Sequence, residues 1–281
     1  MSTKIFLDSG DPADTREALI LLGTLDGQTT NPSLIAKNPD AQARLLSGDK
    51  FSAKEINDFY KKVINEIAAL ISSGAISIEV YADKNTATDK ITEQARAMYS
   101  WCESACIKIP ITKNGLEAAK ILSAEGMRLN MTLCFSQDQA AAVYSATKGA
   151  KKGQIFVSPF IGRLDDIGQN GVDLIKNILK MYKDGDGHIE VLAASIRHLD
   201  HLLACLSFKT DIVTAPLNTY AQWVEAKKVL PEKEFDYNNE LTRIDYKEID
   251  LNKNWQDFNI EHDLTSKGLE KFSSDWNSLI K

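Results

Sequence analysis

Lys108 lies in the middle of an apolar segment, CIKIPIT at residues 106–112, that has the β-branched character of a strand. Alternate strand residues point to opposite faces, so the three isoleucines of this segment share one face and Lys108 occupies the other. Burial disfavours the charged form of a lysine, and the neutral amine can attack a carbonyl carbon to form a Schiff base. A single lysine in a strand is more often an edge or snorkelling residue, so the chemical interpretation depends on the polar residues that accompany it.

Two carboxylates could supply the base that is needed to break a carbon–carbon bond next to such a lysine. An iminium ion accepts the electrons of a breaking bond when a carboxylate removes the proton of the neighbouring hydroxyl group. Asp8, at the end of KIFLD, and Glu79, on the polar face of ISIEVY, are the available groups. Asp8 has an alternative use as the cap of the next helix, although Asp11 and Asp14 lie nearer to the start of that helix.

Further polar residues occupy equivalent places along the chain. Asn130 and Thr132 oppose the apolar residues of RLNMTLC, as Lys108 does in its own segment. The apolar face suits a layer of covering helices, which leaves the polar face to line the inside of a barrel. The other members of this predicted ring lie within or just after further apolar segments: Asn31, Ser158, Ser195 and Arg197. Such a ring favours the chemical interpretation of Lys108, because barrel enzymes keep their reacting groups where the strands end.

The elements that would position these residues repeat eight times. A helix-like stretch follows each apolar, β-branched run, and the runs begin near residues 4, 25, 76, 106, 128, 154, 188 and 212. Pro12 near one helix start, a Ser52-x-x-Glu55 capping box and Gly126 after KNGLEAAKILSAE indicate helix boundaries. The sequence therefore predicts an α/β fold, a (β/α)8 TIM barrel, with an open doubly wound sheet as the alternative.

The last fifty residues differ in composition from the repeated units. From about residue 231 the chain becomes polar and aromatic, and it ends in an amphipathic helix whose apolar stripe is Leu269, Phe272, Trp276 and Leu279. We expect residues 231–281 to form a C-terminal helical arm, packed on a single barrel domain that spans residues 1–281. An independent partner-binding module is the alternative, and the sequence leaves open whether the arm covers the mouth of the barrel.

Length and charge restrict the class of protein. A chain of 281 residues can bury a large core, and its formal net charge of -6 without a long basic run argues against nucleic acid or membrane surfaces as partners. We expect a cytoplasmic protein, because no signal peptide is apparent and no apolar run approaches the roughly 18 residues of a membrane span. The cysteines lack paired spacing and are predicted to be buried thiols: Cys102, Cys106, Cys134 and Cys205.

Seven segments, taken in order, resemble the transaldolase family: FLDSGD, DGQTTNPSL, IEVYAD, IKIPITKNGLEAA, LNMTLCFS, SPFIGRLDD and AASIRH. They cover most of residues 4–200. The resemblance implies a transferase of the non-oxidative pentose phosphate pathway that moves a dihydroxyacetone unit without a metal or an organic cofactor. The implied substrates are sugar phosphates, with fructose 6-phosphate and erythrose 4-phosphate on one side and sedoheptulose 7-phosphate and glyceraldehyde 3-phosphate on the other.

The resemblance also implies a role for each residue of the ring. Lys108 would form the Schiff base, and Asp8 would move the hydroxyl proton during cleavage and condensation. Glu79 and Thr132 would hold the water that serves formation and hydrolysis of the imine. The implied substrate-binding residues are Asn31, Asn130 and Ser158 for the hydroxyl groups, and Arg163, Ser195 and Arg197 for the phosphate, with Phe160 beside them.

Two other functions stay open. A fructose 6-phosphate aldolase resembles transaldolase in fold and in lysine chemistry, but that family typically carries Gln, Tyr and Lys where this chain has Glu79, Phe160 and Arg197. These three positions favour the transferase. The other alternative is a non-catalytic sugar-phosphate-binding barrel, and the presence of Lys108 and Asp8 together with Glu79 argues against it.

Some of these residues also have plain structural alternatives. Arg163 could pair with Asp165 or Asp166 on the surface. His198 and His201 have the spacing of metal ligands on one helix, but two ligands do not fill a coordination shell, so no metal site is predicted. A homodimer remains an open expectation.

Overall fold

A closed barrel of eight parallel strands forms the centre of the computed structural model, which describes residues 2–71, 73–233, 235, 237 and 240–281. The strands are β1 (Lys4–Asp8), β2 (Gly27–Thr29), β3 (Ala75–Glu79), β4 (Ala105–Pro110), β5 (Leu129–Cys134), β6 (Ile155–Pro159), β7 (Ile189–Ala193) and β8 (Ile212–Ala215). Pairing of β1 with β8 closes the ring. The predicted (β/α)8 barrel is confirmed and the open sheet is wrong, because an open sheet would leave these two strands as edges.

Helices cover the outside of the barrel. They are α1 (Pro12–Leu22), α2 (Pro32–Ala36), α3 (Pro39–Leu46), α4 (Ala53–Leu70), α5 (Thr88–Tyr99), α6 (Lys113–Ala124), α7 (Gln137–Ala146), α8 (Ile161–Asp165), α9 (Gly171–Tyr182), α10 (Leu199–Ser207), α11 (Leu217–Glu225) and α12 (Asp263–Ser278). The boundary signals act as predicted: Pro12 begins α1, and both hydrogen bonds of the Ser52–Glu55 capping box form at α4. Gly126 follows α6 with φ of 84°, a conformation that favours glycine.

The long connection between β2 and β3 folds into three helices, and the first of them shapes the site described below. Asn31 precedes Pro32 at the start of α2, and Asn38 precedes Pro39 at the start of α3. In both cases the asparagine side chain accepts a backbone N–H of the first turn, while proline at the first helical position has no N–H to satisfy. The cap at α2 fixes Asn31 at the carboxyl end of β2.

The inside of the barrel has an apolar layer below a polar one. Phe6 of β1 and Phe156 of β6 point inward and meet edge to face, with ring centroids 6.2 Å apart. Two residues further along the same strands, Asp8 and Ser158 point in the same direction. The aromatic layer therefore closes the bottom of the barrel, and the polar layer lies toward its C-terminal mouth.

The C-terminal helix α12 packs on the barrel wall, against α2 and β5. Its predicted apolar stripe is buried, from Leu269 to Leu279, which follows the last helical residue. The chain end is tied down where the Phe51 amide donates to the Leu279 carbonyl at 2.8 Å. The predicted beginning of the arm includes residues 234, 236, 238 and 239, which lie outside the described residues, so its boundary at residue 231 stays a prediction.

The cysteine prediction is confirmed for three residues and wrong for one. Cys106, Cys134 and Cys205 are buried, and desolvation raises the pKa of the Cys106 and Cys134 thiols to about 12. Cys102 is only half-buried, because it lies in the turn between α5 and β4 rather than in a strand or helix.

In the part of the chain that the structure describes, no helix combines the length and the apolar character that crossing a bilayer requires.

Candidate active site

Lys108 lies at the base of a cavity of about 260 Å³ that opens at the C-terminal end of the barrel. Its register on β4 places it beside Glu79 of β3 and Asn130 of β5. The residue is 3% exposed, its Nζ donates to the Thr30 carbonyl at 3.2 Å, and the Glu79 Oε2 atom is 3.1 Å away. The amine is thus enclosed by protein and reached only from the cavity, as Schiff-base chemistry requires.

Asp8 ends β1 on the cavity wall. Its Oδ1 accepts a hydrogen bond from the Thr29 hydroxyl at 2.6 Å, and that hydroxyl also lies 2.7 Å from Thr214. Desolvation by the barrel wall raises the pKa of the Asp8 carboxyl, against the attraction of the Lys108 charge and the Thr29 hydrogen bond. The alternative that Asp8 caps α1 is wrong, because Asp11 accepts the Ala13 amide there at 2.8 Å.

Glu79 and Thr132 flank the lysine on β3 and β5, and both are buried. Among the described residues, the Thr132 Oγ1 is a buried oxygen without a protein hydrogen-bond partner, and the Glu79 Oε2 contacts Lys108 as an ion pair at 3.1 Å without the geometry of a hydrogen bond. Buried polar atoms nearly always find a partner, so these two oxygens are suited to a small polar ligand such as water. Burial raises the pKa of the Glu79 carboxyl, and the charge of Lys108 opposes the shift.

Asn130 and Ser158 form a fixed hydrogen-bonded pair beside Lys108. The Ser158 hydroxyl donates to Asn130 Oδ1 at 2.6 Å, and Asn130 Nδ2 donates to the Ser77 hydroxyl at 3.0 Å. Asn31 lines the cavity from the start of α2, where its Oδ1 accepts the Leu34 amide and leaves the side-chain NH2 as a donor. These three side chains are held in position before any ligand arrives.

Arg163 projects from α8 into the cavity between two aromatic rings. Its guanidinium carbon lies 5.4 Å from the centre of the Phe160 ring and 5.2 Å from that of Phe272. Desolvation lowers the pKa of Arg163, and the negative charge of Glu79 opposes that change. The alternative pairing of Arg163 on the surface is wrong, because Asp165 bonds to His201 and Asp166 pairs with Arg197.

Ser195 and Arg197 lie in the loop between β7 and α10. Ser195 has φ of 56°, which is strained for a residue other than glycine. The Gly162 amide donates to the Ser195 carbonyl at 3.0 Å, and an added Cβ at Gly162 would lie 2.5 Å from Arg197 Nε. The loop and the start of α8 therefore interlock, and this contact holds two candidate phosphate ligands, Arg163 and Arg197, on the same side of the cavity.

The C-terminal helix supplies one wall of the cavity, which answers the question that the sequence left open. Lys271, Phe272 and Asp275 of α12 line it. The Asp275 carboxylate accepts hydrogen bonds from Ser33 of α2 and from Lys271. Helix α12 is thereby joined to the β2–β3 connection across the mouth of the barrel.

One cluster in the described part of the chain has the spacing of metal ligands: Asp165, His198 and His201. His201 Nδ1 accepts the Arg197 amide at 3.4 Å, and its Nε2 donates toward Asp165 Oδ2, which lies 2.8 Å away. A metal ligand must present that nitrogen without its proton. Although Asp165 adds a third candidate ligand that the sequence did not reveal, the hydrogen bonds fit a structural link better than a coordination shell.

Sequence reasoning missed several residues of the cavity. Thr29 and Thr214 lie in the runs that begin near residues 25 and 212, and their alternation with Gln28 and Val213 could have placed them inside the barrel. Phe272 was identified only as a core residue, since nothing local to α12 indicates which face meets the barrel mouth. All the predicted site residues are nevertheless brought together: eight line the cavity, and Glu79, Asn130 and Thr132 lie in the neighbouring strands.

Comparison with known proteins identifies the family of the chain. The profile of a family described as Transaldolase/Fructose-6-phosphate aldolase matches residues 5–281. A protein of Brucella anthropi named probable transaldolase is 36% identical over 273 residues, which are 97% of this chain and 96% of that protein. A protein of the same name from Dehalococcoides mccartyi is 34% identical over 278 residues, with 99% and 100% covered.

Among solved structures, an enolase of the mandelate racemase subgroup from Agrobacterium tumefaciens superposes with a TM-score of 0.50 at 13% identity. The match covers 83% of this chain and 60% of that structure, so this chain spans less than two thirds of its length. Such a distant likeness concerns the barrel fold alone. The profile and the two sequence relatives go further, and by them the chain belongs to the transaldolase/fructose-6-phosphate aldolase family.

Proposed function

We propose that this protein is a transaldolase, which transfers a dihydroxyacetone unit from a ketose phosphate to an aldose phosphate through a Schiff base on Lys108. The observation that carries the proposal is the enclosure of one amine between two carboxylates, below a pair of arginines. The amine lies 3.1 Å from Glu79, its charge acts on Asp8, and Arg163 and Arg197 line the same cavity. We further propose that the substrates are those of the non-oxidative pentose phosphate pathway, in the cytoplasm.

The first half of the reaction attaches and cleaves the donor. The neutral amine of Lys108 attacks the ketone carbon of fructose 6-phosphate, and loss of water gives an iminium ion. Asp8 then takes the proton of the C4 hydroxyl, the C3–C4 bond breaks, and its electrons move into the iminium ion to give an enamine. Glyceraldehyde 3-phosphate leaves with the new aldehyde. Glu79 and Thr132, whose hydroxyl oxygen has no protein hydrogen-bond partner, hold the water that carries protons during imine formation.

The second half reverses these steps with a new aldose phosphate. The enamine attacks the aldehyde of erythrose 4-phosphate, Asp8 returns its proton to the new hydroxyl group, and water hydrolyses the imine. The three-carbon unit must keep its orientation while the acceptor exchanges, and the fixed side chains of Asn31, Asn130 and Ser158 provide that. Arg163 and Arg197, together with Ser195, bind the phosphate of donor and acceptor in turn.

Chemical trapping tests this proposal directly. The protein is incubated with fructose 6-phosphate, quenched with borohydride and analysed as intact protein and as peptides by mass spectrometry. We expect a reduced three-carbon adduct on the peptide that contains Lys108, and its loss when erythrose 4-phosphate is added before the quench. If folded protein binds the sugar and forms no adduct, the chain is a binding barrel and the transferase proposal is wrong.

The pH dependence of turnover follows from the two carboxyl groups. Desolvation raises the pKa of both Asp8 and Glu79, and each acts in its ionised form during part of the cycle. As the pH falls through these raised values the carboxylates take up protons, so kcat should decline at a pH above the ordinary carboxyl value of about 4. A profile of kcat from pH 4 to 8 measures this acid limb. A rate that stays constant down to pH 4 would show that neither group acts as a base.

The second candidate, fructose 6-phosphate aldolase, differs in whether the three-carbon unit is released as free dihydroxyacetone. Phe160 is buried beside Arg163, and its phenyl ring cannot deliver a proton to the enamine. We predict that Phe160→Tyr raises the ratio of dihydroxyacetone release to transfer by about tenfold or more, since a positioned proton donor contributes about 10²- to 10⁴-fold. Both rates are measured on one preparation with and without erythrose 4-phosphate. Phe135→Tyr is the matched aromatic control. An unchanged ratio in Phe160→Tyr would show that the absence of a phenol at residue 160 does not suppress release of dihydroxyacetone.

A further inference from the structure

The end of the Arg197 side chain is already occupied by a carboxylate. Its two terminal nitrogens lie 2.5 and 2.7 Å from the two oxygens of Asp166, a bidentate pair of the kind that arginine also forms with phosphate. Both side chains are about half exposed, at 45% and 53%. Asp166 follows the last residue of α8, the same short helix that carries Arg163.

The Nε side of the guanidinium group lies close to the α8 backbone. Arg197 Nε lies against Gly162, at the place where an added Cβ would be only 2.5 Å away. A phosphate that binds both terminal nitrogens of Arg197 end-on must take the positions that Asp166 now holds. The carboxylate and the substrate phosphate are alternatives for one pair of donors.

We propose that Asp166 competes with the substrate phosphate for Arg197 and so limits how tightly the phosphate binds. The inference deepens the proposed function and rests on it. Exposed ion pairs are weak, so a phosphate ester with its greater charge displaces the carboxylate into solvent, whereas a neutral sugar does not. Asp166 thus keeps Arg197 paired in the free protein and makes its release depend on the charge of the ligand. The phosphorylated substrate binds less tightly than it would to an unpaired arginine, which helps the product leave.

Binding of a substrate analogue tests this inference without any turnover. Sorbitol 6-phosphate resembles fructose 6-phosphate but has no ketone, so it cannot form an imine, and its Kd can be measured by calorimetry. We expect Asp166→Asn to lower that Kd by about three- to tenfold, because the amide holds the guanidinium less strongly and does not repel the phosphate. Asp200→Asn is the matched control, since Asp200 is an exposed carboxylate three residues after Arg197. Sorbitol without phosphate should bind both variants and the parent alike.

The outcomes separate the inference from the function on which it rests. A Kd that is unchanged or higher in Asp166→Asn, at equal thermal midpoint, overturns the inference, and a higher value would assign Asp166 the opposite role of holding Arg197 in place for phosphate. An equal decrease in Asp200→Asn also overturns it, because the effect would then be one of general charge. If the Kd decreases only in Asp166→Asn while borohydride traps no adduct, the phosphate competition stands and the transaldolase function fails.

Discussion

Replacement of Lys108 by methionine is expected to lower kcat by at least about 10⁴-fold, since the loss of a covalent nucleophile removes the pathway itself. Methionine has a similar length, carries no charge and cannot form an imine. The sugar phosphate should still bind, because Arg163 and Arg197 are unchanged. The prediction is checked by a coupled assay of glyceraldehyde 3-phosphate formation together with borohydride trapping, in which the adduct should disappear.

The buried carboxylate beside Lys108 makes the control variants important. Without the lysine charge, Glu79 is buried without its ion-pair partner, at a place where burial already raises the pKa of its carboxyl group. Removal of one member of a buried ion pair lowers the stability of the folded protein. The double variant Lys108→Met/Glu79→Gln removes both charges. If the single variant unfolds, the double variant is used to measure the loss of turnover and of the trapped adduct. Lys113→Met, an exposed change at the start of α6, should leave kcat intact. More than 1% of the parent kcat in a folded Lys108→Met protein would contradict the Schiff-base mechanism.

Much of the fold follows from local patterns. The predicted starts of the eight strand runs lie within about two residues of the observed ones, because most strands are short, β-branched apolar runs bounded by turn residues or helix caps. Closure of the sheet into a barrel is predicted by the presence of eight strand–helix units, and no single unit indicates it. Of the three helices after β2, α4 was predicted from its capping box, whereas α2 and α3 were not, although the two Asn-Pro pairs that begin them are an explicit signal.

The candidate site also contains residues that local sequence patterns place and residues that only tertiary packing places. Lys108, Glu79 and Asn130 could be placed from strand alternation alone, since parity decides which residues enter the barrel and parallel register then makes them neighbours. Side chains whose partners come from distant elements could not be placed in this way. The partner of Arg197 depends on how the end of α8 meets the loop after β7, and adjacent aspartates at 165 and 166 turn to different partners. The position of Phe272 over Arg163 depends on how α12 docks.

Replacement of Asp8 by asparagine should stop the cycle at a different step. Imine formation needs the Lys108 amine and the water held near Glu79, and neither is removed, whereas cleavage of the C3–C4 bond needs a base at Asp8. We expect kcat to fall by about 10²- to 10⁴-fold while the imine accumulates before cleavage. Borohydride should then trap a six-carbon phosphorylated adduct on Lys108 in place of the three-carbon adduct of the parent. Mass spectrometry distinguishes the two directly.

Glu79→Gln provides the matched comparison, since it makes the same carboxylate-to-amide change on the other side of the lysine. With the proton-carrying group altered, the imine should form slowly, so the yield of trapped adduct falls while the adduct that does form still has three carbons. The pair of variants thus assigns the two carboxylates by the composition of the adduct rather than by rate alone. A three-carbon adduct from Asp8→Asn at the parent's yield would mean that another group takes the hydroxyl proton, and the hydrogen bond from Thr29 to Asp8 would then serve structure instead of catalysis.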